Sequence, residues 1–347
     1  MKPILYSKSP DDRIDFVRNY YQWKASTVGV TQLVYLCPKK FVVDVSPRLP
    51  EARIIAFEDV TKSNDLFNLA SDTTLLALDR AARYKNITSS TFVRLSRATA
   101  KYKHKAMVDI VPFTTGIEYL YSPLAFMDRQ ILGYQHWYSF RENNMEVTSS
   151  GDSLRAFDVS LLAKKLVQAA EIKYSSFTNK RIRMVDCPLT LEEAAEYQLL
   201  RDKLFQENTS ASPIITKLAD WTNIRESRYE VLESLLLNAE NTVIYTNLSG
   251  HNKRLSKRFP GIEARSFYDT NGGEDKYDRV ILFESPIVRG YLFHDVIANV
   301  NSDCEILIFK SNTTIDRLLY KRMDDEFTAI DGLVKALYKE AQNERGQ

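Results

Sequence analysis

The chain has little cysteine and histidine, three and four residues respectively among 347. Cys37, Cys187 and Cys304 lie far apart without a CxxC pair, and the histidines are equally scattered. A disulfide framework needs paired cysteines, and a zinc site needs closely spaced cysteine and histidine ligands. The sequence therefore predicts neither kind of site.

Long apolar runs are also missing. The sequence holds no uncharged apolar stretch of about 18 residues or more, and its start, MKPILYSKSPDDR, lacks the apolar core of a signal peptide. We expect a soluble cytoplasmic protein that does not contact a membrane. The formal net charge is only +2. Any binding of nucleic acid must then rest on local basic patches rather than on a field over the whole protein.

What the sequence does contain is enough apolar side chain for buried cores, with 44% hydrophobic and 27% charged residues. Short apolar runs bounded by turn-formers or charge alternate with longer amphipathic segments, which is typical of parallel strands joined by helices. The runs are 32–36, 75–78, 242–245, 279–283 and 305–309. We predict an α/β protein.

A chain of this length is expected to form two domains of about 150 residues each. We predict a first domain at residues 1–180, with a helical insertion at about 129–180, and a second at 181–347 with a C-terminal helix. Apolar residues at helical spacing predict a helix at 92–102. Thr190 and Glu193 have the spacing of a capping box that opens a further helix.

The most specific motif pattern lies in residues 75–128. A buried strand leads into Asp79, and a basic helix, an apolar strand and the segment FTTGIEYLYSPLAFMD follow. This order resembles the Swi/Snf family of superfamily-two helicases, where a DEAH-type box, a KN pair, an LTGTP-type strand and an ELxxLxxFL helix follow one another. The matching residues are Asp79, Lys85, Asn86, Pro112, Glu118, Leu120, Leu124, Phe126 and Met127.

The resemblance extends, with weaker motifs, over most of residues 20–325 in the family's order. It implies two RecA-like lobes, each a mainly parallel sheet flanked by helices, with a helical insertion between them. The degraded motifs are also similar to helicase-like reading frames carried by bacteriophages, which makes a phage source an expectation.

Within this resemblance, residues 24–31 (KASTVGVT) stand where the family has its phosphate loop. Such a loop needs glycines that let backbone N–H groups approach phosphate, a lysine and a hydroxyl group. Gly29 and Thr31 are present, but Lys24 replaces the first glycine and Val30 replaces the lysine. The positions left for nucleotide binding are Lys24, Gly29, Thr31 and Asp79. Alternatively, the segment is an ordinary loop that never faced a nucleotide.

The other catalytic parts that the resemblance implies are also altered. Asp79 could still help to hold magnesium, but Arg80 replaces the glutamate that positions the attacking water. Residues 294–303 match the arginine-finger helix and contain no arginine, although such a finger contributes roughly 10³ to 10⁵ in rate. We therefore predict no catalytic residue, only vestigial positions at Val30, Thr31, Asp79 and Arg80. No cofactor is expected, and weak binding of ATP and magnesium is left open.

Basic residues cluster in three places. Residues 80–105 hold eight lysines and arginines and no acid, a second cluster lies at 253–258, and Lys39 and Lys40 follow a proline turn. Such clusters can neutralise phosphates, and the alternative for each is a solvated surface or strand end. The candidate nucleic-acid contacts are Lys39, Lys40, Arg83, Lys85, Arg94, Arg97, Lys101, Lys253 and Arg254.

Aromatic residues concentrate between positions 119 and 140. They could offer stacking surfaces for bases, although packing in a core or interface is the more common role of such a cluster. The members are Tyr119, Tyr121, Tyr134, His136, Trp137, Tyr138 and Phe140.

Three functions remain in competition at this point. The first is a helicase-like protein that binds DNA, or a replication or recombination partner, without hydrolysing ATP. The second is an active DNA-dependent ATPase or translocase in which Lys24 or Arg80 substitutes for the lost groups. The third is a protein-interaction adaptor paired with an intact motor subunit.

Overall fold

The computed structural model describes residues 1–113, 116–147, 153–174, 181–207, 211–236, 241–246, 249–266, 277–284, 296, 300 and 303–345. The chain divides into two compact units, Met1–Thr178 together with Glu326–Gln347, and Asn179–Asp325. The predicted domain boundary near Lys180 lies outside the described residues.

The first unit is built on one parallel sheet in the strand order β3-β2-β4-β5-β1-β8, with β6 and β7 as a separate antiparallel pair. Its strands and helices are β1 (Ile4–Tyr6), α1 (Pro10–Val28), β2 (Gln32–Cys37), α2 (Val42–Val45), β3 (Ala52–Ala56), α3 (Asp65–Asn68), β4 (Thr74–Asp79), α4 (Ser90–Thr99), β5 (His104–Asp109), α5 (Tyr121–Met127), α6 (Trp137–Asn144), β6 (Met145–Val147), β7 (Ser153–Ala156), α7 (Val159–Val167) and β8 (Ala170–Ile172).

The sequence of α1 specifies both of its ends. The side chain of Ser9 caps the start by accepting a hydrogen bond from the Asp12 amide, and Pro10 stands at the first helical position. Gly29 ends the helix with a φ of 74°, a conformation that glycine adopts without strain. The apolar face between these ends packs on β2, β4 and β5 in the core of the unit.

The second unit is built on a parallel sheet in the order β11-β10-β12-β13-β9. Its core lies between this sheet, α10 and α11, and a smaller apolar cluster joins α8, α9 and the start of the last helix. The elements are β9 (Arg181–Asp186), α8 (Leu191–Glu207), α9 (Ala211–Asn223), α10 (Glu226–Leu236), β10 (Thr242–Thr246), α11 (Ser249–Arg258), β11 (Glu263–Ser266), β12 (Arg279–Leu282), β13 (Glu305–Lys310) and the first part of α12 (Asp316–Arg345), whose residues from Glu326 onward belong to the first unit.

The predicted fold class, two mainly parallel sheets flanked by helices, is confirmed. The five predicted strands are β2, β4, β10, β12 and β13, and the helix predicted at 92–102 is α4. The capping box is also present, because Thr190 N–H donates to Glu193 at 3.0 Å and Glu193 N–H donates to Thr190 Oγ1 at 3.2 Å. Within the segment predicted as an insertion, β8 joins the main sheet beside β1. The sequence patterns did not predict β1 and α1.

In the part of the chain that is described, no helix combines the length and the apolar character that a membrane crossing requires.

A buried ion pair ties the helices of the second unit to its sheet. The side chains of Arg228 and Asp316 are 1% and 0% exposed, and Arg228 Nη1 donates to Asp316 Oδ2 at 2.8 Å. Arg228 Nε and Nη2 donate to the carbonyls of Phe283 and Phe309 at 2.8 and 2.9 Å. The Ser311 amide donates to the same Asp316 oxygen at 3.0 Å. This network joins α10 and α12 to the carboxyl ends of β12 and β13.

We expect Asp316→Ala to lower the free energy of unfolding of the second unit by about 3–5 kcal/mol, because Arg228 would stay buried without its counter-ion. Asp202→Ala on α8 removes an exposed ion pair with Arg201 and should change the free energy of unfolding by about 0–1 kcal/mol. Hydrogen exchange of β12 and β13 amides in the full chain under mild urea measures both. Equal effects of the two substitutions would contradict the role given to the buried pair.

Candidate functional site at the carboxyl edge of the first sheet

The first sheet presents a cluster of buried polar groups at one edge. In open α/β sheets ligands bind outside the carboxyl ends of the strands. Here β1, β4 and β5 end side by side, and the groups at their ends are Ser7, Asp79, Arg80 and Asp109, together with Arg13 from the first turns of α1. All five residues are 2–4% exposed.

Arg13 lies at the centre of this cluster. Its Nη1 donates to the carbonyls of Ser7 and Lys8 at 2.7 and 3.1 Å, and its Nε lies 3.7 Å from Asp79 Oδ1. Burial, and secondarily the charge of Arg80, lower the pKa of Arg13, but an arginine remains protonated in proteins. A permanent positive charge of the protein itself therefore lies between β1, α1 and the end of β4.

The connection from β1 to α1 is a strand-to-helix turn, the kind of turn in which phosphate loops lie. Its sequence, Ser7-Lys8-Ser9, contains no glycine. The Ser9 amide donates to Ser7 Oγ and the Asp12 amide to Ser9 Oγ, both at 3.2 Å. The Asp12 carboxylate, held by Ser7 Oγ at 2.8 Å and Lys173 Nζ at 3.1 Å, faces this same turn. These N–H groups already have acceptors, and a bound phosphate would meet a carboxylate.

Arg80, directly after Asp79, has an unusual backbone conformation. Its φ of 62° is in the left-handed region, which is strained for a residue other than glycine. Its amide donates to the Val108 carbonyl at 2.9 Å, and its guanidinium carbon lies 3.5 Å from the centre of the Phe41 ring. The side chain is thus packed as a cation on an aromatic face.

Asp109 ends β5 and is held by the backbone. Its Oδ2 accepts from the Ala82 amide at 3.0 Å and its Oδ1 from the Ile110 amide at 2.8 Å. Burial raises the pKa of Asp109 to about 7. The hydrogen bond from Ala82 lowers this pKa, and the charge of Asp79 raises it further. The carboxyl group therefore changes charge near neutral pH.

This pKa makes the stability of the first unit dependent on pH. The pKa of Asp109 is 3.8 in the unfolded chain and about 7 in the folded one. At pH values between these two, the folded state keeps a proton that the unfolded state has released. Stability should therefore fall as pH rises through this window, by at most about 1.4 kcal/mol per pH unit. Asp109→Asn should remove this slope, whereas Asp44→Asn at an exposed acid of α2 should not. Urea unfolding at several pH values tests this, and parallel profiles for wild type and Asp109→Asn would contradict it.

Residues 24–31, which the resemblance places at the phosphate loop, connect a helix to a strand and not a strand to a helix. Lys24 lies in α1, Gly29 is the residue that ends this helix, Val30 is a 2% exposed core residue, and Thr31 donates from its amide to the Thr73 carbonyl at 2.9 Å. Because β2 and β4 pair in parallel from Gln32 and Thr74, this segment lies at the amino edge of the sheet. Asp79 ends β4 about 16 Å away at a rise of about 3.3 Å per residue. The alternative of an ordinary connection is the one that the structure supports.

The basic residues of the 80–105 block do not form one surface. Arg83 and Lys85 follow β4 at the carboxyl edge, where Lys39 and Lys40 also follow β2. Helix α4 then runs back for about 15 Å, so Arg97 and Lys101 lie near the amino end of β5. We call Lys39, Lys40, Arg83 and Lys85 the carboxyl-edge cations.

Arg94 has a structural role that its basic character did not indicate. Its guanidinium donates to the carbonyls of Val60 and Ser63 and to the Asn64 side chain, at 2.5–2.8 Å. These bonds fasten α4 to the segment before α3. Lys253 and Arg254 are exposed on α11 in the second unit.

The second sheet carries its own buried acid at the corresponding edge. Glu284 follows β12 with 0% exposure, and its carboxylate is hydrogen-bonded to Nδ1 of His251 in α11. This hydrogen bond raises the pKa of His251. The predicted arginine-finger segment, 294–303, lies outside the described residues except for 296, 300 and 303.

Sequence reasoning missed Ser7, Arg13 and Asp109. A signal for the first two exists, since Ser9, Pro10 and two acids after the apolar triplet Ile4–Tyr6 form a helix start directly behind a strand. Asp109 ends an apolar run just as Asp79 does, so its position at the same edge could have been found.

Comparison with known proteins gives similarity in fold. No protein-family model and no curated protein matches the chain. The Swi2/Snf2 ATPase core of Sulfolobus solfataricus in complex with double-stranded DNA is 13% identical and aligns over 99% of this chain and 91% of its own, with a TM-score of 0.44. The core domain of that ATPase is 14% identical and aligns over 98% of this chain and 89% of its own, with a TM-score of 0.42. The Hef helicase domain of Pyrococcus furiosus is 10% identical and aligns over 92% of this chain and 94% of its own, with a TM-score of 0.39.

These are two structures of a Swi2/Snf2 ATPase core and one of a helicase domain. At such low identity the similarity concerns the fold alone. The three structures come from Sulfolobus and Pyrococcus, and a phage source for this chain stays a prediction.

Proposed function

We propose that this helicase-like protein binds DNA and does not hydrolyse ATP. The observation that carries the proposal is the position of Arg13. Its guanidinium lies at the strand-to-helix turn where a phosphate loop would receive ATP, and its hydrogen bonds go to the protein's own backbone.

Three features of this edge oppose nucleotide binding together. The turn lacks glycine, its amides at Ser9 and Asp12 already have acceptors, and the acidic first turn of α1 cancels the attraction of a helix N-terminus for phosphate. Arg80 stands where a catalytic base would be needed and is packed on Phe41. Catalysis of phosphoryl transfer depends on positioning and on stabilising charge. Neither Arg13 nor Arg80 can serve these needs in this arrangement.

The carboxyl-edge cations support DNA as the partner. Lys39 is exposed, Lys40, Arg83 and Lys85 are half-buried, and all four follow neighbouring strands at one edge. A set of cations on one edge can follow a phosphate backbone in a way that a scattered charge cannot. A replication or recombination protein in the cytoplasm remains the proposed alternative partner.

We expect no saturable binding of a fluorescent ATP analogue at millimolar concentration, and no ATP hydrolysis with or without DNA. The measurement is a titration of the full chain followed by a phosphate-release assay. Turnover that Asp79→Ala abolishes would contradict the proposal and would favour an active DNA-dependent ATPase.

The double substitution Lys39→Ala with Lys40→Ala should weaken DNA binding similarly for all sequences and lower the slope of log affinity against log salt by about 2. Arg97→Ala with Lys101→Ala also removes two positive charges, but at the opposite edge of the sheet, and should leave the slope unchanged. Fluorescence anisotropy over a salt series compares them. Absence of binding by the wild type at low salt would refute the DNA-binding half of the proposal.

A further inference from the structure

The aromatic residues between positions 119 and 140 separate into two groups. Tyr121 and Phe140 are 4% and 0% exposed, with ring centres 5.8 Å apart, and Tyr134 packs edge-on against Phe140. These three serve packing. Of the other rings, Tyr119 and Trp137 are half-buried, as Tyr134 is, and Tyr138 is 59% exposed.

Tyr119, Trp137 and Tyr138 are arranged with cations. Tyr119 and Trp137 are nearly parallel, with centres 6.2 Å apart and planes at 24°, and Tyr138 stands edge-on to Trp137 at 5.1 Å. Lys85 Nζ lies 5.6 Å from the centre of Tyr119, and Arg141 lies 5.3 Å from that of Trp137. We call these five residues the aromatic surface.

Hydrogen bonds to the backbone fix this surface in place. Trp137 Nε1 donates to the Glu118 carbonyl at 3.0 Å, which sets the plane of the indole. Ser122 Oγ donates to the Lys85 carbonyl at 2.8 Å and fastens the segment that bears this cation to α5. A ligand that stacks on rings already held in position loses less entropy on binding.

Lys85 also belongs to the carboxyl-edge cations, so the aromatic surface continues the basic edge. A duplex keeps its bases inside the stack and offers phosphates to such an edge, whereas a single strand also offers the faces of unpaired bases. Grooves that bind single strands combine these two elements, a basic track for the backbone and aromatic rings for the bases.

We propose that the aromatic surface is a binding site for unpaired nucleotides of single-stranded nucleic acid, with Tyr138 as the main stacking ring and with Lys85 over Tyr119 and Arg141 over Trp137 to neutralise phosphates. This inference rests on the proposed function and specifies which part of the nucleic acid is recognised. The bases are held without sequence preference, because every base has a π face.

Anisotropy of the full chain at low salt tests the site with three labelled probes of about 15 nucleotides: a dT strand, an abasic strand of equal charge, and a duplex. We expect the dT strand to bind more tightly than the abasic strand. Tyr138→Ala should weaken binding of the dT strand roughly 5- to 100-fold and leave the abasic strand and duplex unchanged. Tyr138→Phe retains the ring and should stay within about twofold of the wild type.

Phe157→Ala is the matched control, because Phe157 is 64% exposed in the same unit and is not one of the five residues. The inference is overturned if Tyr138→Ala and Phe157→Ala behave alike, or if abasic and dT strands bind equally while the duplex still binds. Failure of every probe to bind at low salt instead refutes the proposed function itself.

Discussion

The buried guanidinium of Arg13 is the charge around which the carboxyl edge of the first sheet is organised. A buried ion is tolerated only when hydrogen bonds and opposite charges compensate for the lost water. The carbonyls of Ser7 and Lys8 and the carboxylate of Asp79 provide that compensation. Because those carbonyls turn toward Arg13, the backbone between β1 and α1 is arranged around a cation of the protein itself.

The remaining polar groups of this edge fit the same constraint. Asp109 lies beside two cations, Arg13 and Arg80, and takes its hydrogen bonds from the amides of Ala82 and Ile110. Arg80 is held by the face of Phe41. The result is a buried cluster of titratable and charged groups inside one unit, while exposed cations such as Lys39 follow the ends of the strands.

The α/β class and the strands β2, β4, β10, β12 and β13 could be predicted from the sequence because each of these strands carries a short apolar run bounded by charge or turn-formers. A strand as short as β1, with three residues, gives no such signal, and without β1 the strand-to-helix turn before α1 was not considered. Strand β2 is preceded by Gly29 and Thr31, and these two residues matched the phosphate-loop motif. The role of Arg94 could not be predicted either, since its acceptors are backbone carbonyls more than 30 residues away in the chain.

The acidic first turn of α1 also bears on how this chain could change over evolution. Replacing Arg13 alone would leave Asp79 and Asp109 buried with less positive charge. Placing glycines at Ser7 and Ser9 would still leave the carboxylate of Asp12 beside this turn. Each single substitution at this edge is therefore expected to lower the stability of the first unit, because it leaves a buried charge with fewer partners.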